Sequence, residues 1–202
     1  MNRLLTVACL TILISTGCDS PSTSVSNSSN GVTQQPTSRL KQTTVDNVAL
    51  KPSQPTPGLE LLIPDGFSLM DESVIATKYP AGNRPTLVYT NATGAINIAI
   101  NHTQNRILPN QLKQLHQQLD TSIRQSQPTA KWMFSGFQHY HGREWTQLEF
   151  QSEAVDTKIH NMMNATSAQG RMLAISFNCT DEYAGEWLNV GREIIKSAIF
   201  TE

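Results

Sequence analysis

Hydrophobic residues recur along this chain with two different periods, and the changes between them mark out the elements. Leu59-Glu60-Leu61-Leu62-Ile63 is an apolar run that stops at Pro64-Asp65-Gly66, where Pro, Asp and a φ-permissive Gly signal a turn. Short strands are expected over Phe67 to Met70, Val74 to Tyr79 and Thr86 to Thr90. From Ala95 to Asn101 apolar and polar residues alternate, which aims Ile96, Ile98 and Ile100 at one face of a strand.

The period then lengthens. Leu108, Leu112, Leu115, Leu119 and Ile123 are spaced by three and four, so they form one stripe on a helix that Pro109 can open and Pro128 must end. Four strands are expected next, over Lys131 to His139, Arg143 to Ser152, Thr157 to Thr166 and Arg171 to Asn178. His141-Gly142 and Gln169-Gly170 suit tight hairpins between them. Thr180-Asp181-Glu182 can cap a last helix with Tyr183, Trp187, Val190, Ile194 and Ala198 on one face. Consecutive hairpin strands, rather than strictly alternating strands and helices, point to an α+β fold: an antiparallel sheet with two main helices packed on it.

The N-terminal pattern is of another kind. Arg3 and the free amine precede an apolar run of 11 residues from Leu4 to Ile14, then Ser15-Thr16-Gly17 and Cys18. Eleven residues are too few to span a bilayer core, which needs about 20 in a helix. They are enough for the apolar region of a secretion signal over residues 1–17. Ile14 to Cys18 resembles the bacterial lipobox, in which the cysteine after the cleavage site is lipidated. That resemblance implies a membrane anchor at Cys18, with palmitate among its acyl chains, and a periplasm-facing position in the cell envelope. Ser15 stands where a leucine is commoner. Asp19 resembles the inner-membrane retention signal of enterobacterial lipoproteins.

Between Asp19 and Pro57, 27 of 39 residues are Ser, Thr, Pro, Asn, Gln or Gly, and none is aromatic. So little apolar surface cannot offset chain entropy, and residues 18–57 are expected to be a disordered tether. A flexible coil of that length spans about 35 Å. The weak patch Val45 to Leu50 is its one candidate for packing. All three Trp and all six Phe follow Gly58, so residues 58–202 are expected to form the globular domain.

Composition removes some functions. The chain carries 15 Lys+Arg against 16 Asp+Glu, a formal net charge of -1, which leaves no basic excess for nucleic acid. Of three cysteines, Cys9 leaves with the signal and Cys18 carries lipid. Cys179 alone is left in the domain, where no intramolecular disulfide is open to it.

The opening Ile63-Pro64-Asp65-Gly66-Phe67 and the closing Ile194-Ile195-Lys196-Ser197-Ala198-Ile199-Phe200 resemble the PsbP-like fold. It is shared by PsbP subunits of photosystem II and by DcrB-type bacterial lipoproteins. With its lipobox the chain is more similar to the DcrB type. The resemblance covers Leu59 to Phe200. It implies an α/β/α sandwich and an extracytoplasmic binding or accessory module without shared catalytic residues.

Candidate chemistry is sparse. His139 and His141, two apart on a strand, share a face, and His160 on a neighbouring strand is the third ligand of a candidate metal site. Exposed loop histidines give the same pattern. Glu144, Glu149 and Glu153 read as charges on the wet face of the sheet. Trp132 and Phe134 alternate onto one face and read as core. Tyr140 and Trp145 are candidate anchors for a protein partner if they are exposed. Met162 and Met163 point to opposite faces of their strand. No G-x-S-x-G, H-E-x-x-H or P-loop spacing occurs, so neither catalysis nor a cofactor is expected. The expected role is that of a membrane-anchored envelope lipoprotein binding another envelope protein, with metal or small-ligand binding as the alternative.

Overall fold

The computed structural model describes residues 38–79 and 84–201. The signal segment, the lipobox and Cys18 lie outside the described residues. The chain runs β1 (Thr43–Val45), β2 (Val48–Thr56), β3 (Leu59–Pro64), β4 (Ser68–Leu69), α1 (Glu72–Lys78), β5 (Leu87–Thr90) and β6 (Ile96–Arg106). After a 3-10 turn come α2 (Leu112–Ser126), β7 (Lys131–Tyr140), β8 (Arg143–Glu153), β9 (Lys158–Ala168) and β10 (Arg171–Thr180). A second 3-10 turn leads to α3 (Ala184–Lys196) and β11 (Ile199–Phe200). The architecture is α+β, with antiparallel pairing throughout. One sheet has seven strands in the order β4-β5-β6-β10-β9-β8-β7, the other four in the order β1-β2-β3-β11.

Strand alternation divides the large sheet between two layers. Ile98 on β6, Ile175 and Phe177 on β10 and Trp145 on β8 face the small sheet and α3, forming the main core with Leu59, Leu61, Val190 and Ile194. The α3 stripe has the expected phase: Val190, Ile194 and Ala198 are buried, and Trp187 is half-buried against Phe67, ring centroids 5.4 Å apart. Gly191 belongs to the same face. A Cβ there would lie 2.6 Å from the Phe177 ring, so only glycine admits this approach of helix to sheet.

The opposite face carries α2 and α1, whose apolar residues form two separate clusters. Leu112, Leu115, Leu119 and Ile123 pack on Leu148, Phe150 and Ala165. Ile75 and Tyr79 pack on Val88, Ala99 and Ile159.

Three expectations are corrected. The stretch expected as a strand over Val74 to Tyr79 is mostly α1, with Ile75 buried as its core contact. The disordered tether does not reach residue 57. Residues 43–56 form β1 and β2, paired to each other and to β3, with Leu50 fully buried in the main core. The segment tolerates Pro52 and Pro55 because β1 pairs only with Val48 to Leu50, leaving the rest of β2 as an edge. Trp132 and Phe134 do not share a face. A register shift between them sets Trp132 opposite Phe150 and Phe134 opposite Glu149.

Candidate functional site

The histidines expected to share a metal are not brought together. His139 lies opposite Glu144 on β8, and His160 lies opposite Gln151 on the same strand. Seven steps along β8 at about 3.3 Å each put them some 23 Å apart, and the odd number sends their side chains to opposite faces. His139 Nε2 approaches Glu144 Oε1 at 3.5 Å, with both side chains exposed. His141 occupies the hairpin turn with φ +50°. Among the described residues no group of three His, Cys, Asp or Glu side chains is placed to hold a metal ion.

The proposed anchors also have internal partners. Trp145 is only 1% exposed and belongs to the main core. Tyr140 is half-buried, and its hydroxyl donates to Gln147 Oε1 at 3.1 Å. Burial pushes the Tyr140 phenol up, helped by the Glu193 and Glu149 carboxylates. Glu149, expected on a wet face, is buried at 5% exposure and ion-paired with Arg192 of α3. The reason is that β8 lies inside the sheet, with α2 on one face and α3 on the other. Glu144 and Glu153 are exposed as expected.

Two clusters that spacing did not reveal resemble nucleophile sites. Cys179 lies opposite His160 on adjacent strands, and His160 Nε2 is 2.7 Å from Asp181 Oδ1. The thiol is fully buried, however, and burial pushes it up to about 12. It therefore stays protonated, as a core side chain. On the other face Ser135 Oγ is 3.4 Å from His116 Nε2, and His116 Nδ1 is 2.6 Å from Thr146 Oγ1. Yet the single Ser135 proton is donated to Asp120 Oδ1 at 2.6 Å, so it is not aimed at the imidazole. Asp120 is itself held by both arms of Arg124, at 2.7 and 3.2 Å. That network ties α2 to β7.

What the helical face does contain is a cavity of about 350 Å³ between α2 on one side and Tyr79, Arg84 and Pro85 on the other. Its floor is Ala99 on β6, Ala165 on β9, and Ala174 and Ser176 on β10; its wall is Leu115, Leu119 and Ile123 of α2. Short side chains on the floor leave the space that separates the two apolar clusters. Met163 and Met172, half-buried, also line it and can adapt to an occupant. Amides stand around the apolar surface. Asn101 Oδ1 accepts from Thr86 Oγ1 at 3.1 Å, and Asn161 Nδ2 donates to Ser152 Oγ at 3.1 Å. Arg84, whose Nε donates to the Tyr79 carbonyl at 3.0 Å, is the one charged residue among the described lining. An apolar concavity of a few hundred Å³ with a few fixed polar groups is the usual form of a small-ligand site.

A second cavity, about 630 Å³, lies beside the β7–β8 hairpin, lined by Arg39, Tyr140, His141, Arg143 and Phe200. It gathers two of the sequence candidates. Arg143 there donates to the Ser167 carbonyl, and Arg39 to Thr201 Oγ1.

No family model matches the chain, and no curated protein matches it. Solved structures do. Cyanobacterial PsbP (CyanoP) from Synechocystis superposes with a TM-score of 0.56 at 13% identity, over 75% of this chain and 92% of that one. The domain has a PsbP-like fold. LpqN of Mycobacterium tuberculosis, described as involved in cell envelope biogenesis, gives a TM-score of 0.49 at 15% identity, over 79% of this chain and 98% of that one. At such identities a likeness speaks of fold, and function has to be argued from the site.

Proposed function

We propose that this protein is a lipid-anchored envelope lipoprotein of the DcrB type, whose domain is a non-catalytic binding module working through the cavity beside α2. One observation carries the binding site: a cavity of about 350 Å³ with a floor of small, mostly apolar residues lies open beside α2. The envelope reading rests on the lipobox at Ile14 to Cys18. Anchoring then falls to the lipid. β1 and β2 fold onto the domain, and the part of the expected tether before Ser38 lies outside the described residues.

The binding reading is tested with the neutral fluorescent probe N-phenyl-1-naphthylamine on the Cys18→Ala chain, which is expected in the soluble fraction. Saturable binding that Ala174→Trp abolishes, with the melting temperature kept, supports the site. Equal binding by both chains contradicts it. For the anchor, membrane partition unchanged by Cys18→Ala is the contrary result.

A further inference from the structure

Resting on that reading, we infer that the cavity takes a monoanionic amphiphile with a single aliphatic chain, such as a medium-chain fatty acid, with its carboxylate at Arg84. Three features of the lining select that class. First, the wall is a straight aliphatic strip. Leu115, Leu119 and Ile123 follow one another along α2, and eight steps at 1.5 Å each make it about 12 Å long. That shape matches an extended hydrocarbon chain better than a broad ring system.

Second, the interior offers no charged partner. Ala99, Ala165 and Ala174 carry no polar side-chain atom, Ser176 adds one hydroxyl, and the amides of Asn101, Asn161 and Asn178 already hold intramolecular bonds. A charged group buried there would lose hydration without a partner. Third, the charge at the edge has one sign. No acidic residue stands among the described lining, and Arg84 is basic. A cationic head finds no counter-charge, and a multiply charged head finds only one. The bond from Arg84 Nε to the Tyr79 carbonyl uses only one of the guanidinium's donors, and its terminal nitrogens are the ones a carboxylate would pair with.

The experiment displaces N-phenyl-1-naphthylamine from the soluble Cys18→Ala chain with three 12-carbon ligands, each below its micellar concentration: laurate, dodecanol and dodecyltrimethylammonium. Laurate is expected to bind tightest and the cation weakest. Arg84→Gln should weaken laurate about fivefold, the scale of an exposed ion pair, and leave dodecanol unchanged. Ala174→Trp should remove all three; if that chain does not fold, Ser176→Leu serves instead. Laurate and the cation displacing the probe equally, or Arg84→Gln leaving laurate unchanged, overturns the inference while the cavity stands as a site. Failure of the probe to bind at all overturns both. Flotation with phosphatidylglycerol vesicles separates the source: the soluble chain should stay unbound, and co-flotation abolished by Ala174→Trp would mean that the chain is drawn from a bilayer lipid, against the free acid.

Discussion

The two faces of the seven-stranded sheet differ in the size of their side chains and in how completely they are covered. On one side Phe177, Ile175 and Ile98 meet α3 and the four-stranded sheet so closely that Gly191 has no room for a Cβ. On the other, alanines and a serine occupy the corresponding floor of β10 and its neighbours, and a cavity lies open beside α2. Interiors pack to crystal-like density where stability is the requirement. A stretch left open on apolar floor forgoes burial that a pair of leucines would supply, which is the basis for proposing a ligand there. The closed face holds the domain together, and the open face is the one we propose for binding.

This contrast breaks most sharply under truncation of one side chain on each face. Phe177→Ala empties the closed core and should cost about 3–5 kcal/mol. Met172→Ala, on a side chain that already borders a void, should cost about 1 kcal/mol, since fewer contacts are lost. Urea midpoints compare the two; equal losses would mean that the faces are packed alike.

The next effect concerns the edge of the closed face. Leu50 is fully buried within a segment whose composition suggests a tether, so Leu50→Ala should cost about 2–5 kcal/mol. A chain beginning at Gly58 should melt well below the longer one. Equal melting temperatures would return β1 and β2 to the tether.

The smallest effect lies on the open face and depends on pH. The Arg124 guanidinium beside Asp120 holds its carboxyl below the usual carboxylate value, helped by Ser135. Because the folded value is the lower one, the contribution is present above about pH 3.9 and is lost as pH falls through the folded value. Asp120→Asn should therefore cost about 0.2–1 kcal/mol at pH 7, a cost that vanishes once pH has fallen below the folded value. A loss that persists in acid would show that shape, rather than charge, joins α2 to β7 there.

Much of the fold was legible because its signals are local. The spacing from Leu112 to Ile123 fixes α2, and Gln169-Gly170 and His141-Gly142 sit at positive φ in their turns as tight hairpins require. Where spacing failed, a distant partner decided. Leu50 is a single strong apolar residue among prolines and serines, and it is ordered by pairing with β3. Glu149 reads as solvent-facing until Arg192, 43 residues later, covers it. His139, His141 and His160 share a plausible ligand pattern, but register along β8 separates them. The cavity has no sequence signature of its own, because Ala99, Ala165 and Ala174 become a floor only once β6, β10 and β9 are neighbours.

The most direct test of an open and a closed face is a methyl NMR titration of the soluble chain with laurate. Methyl signals of Ala99, Ala165, Ala174, Met163, Met172 and Ile123 should shift and saturate together, while those of Leu61, Ile175, Val190 and Ile194 stay in place. Shifts confined to the second group, or spread evenly over both, would contradict the account.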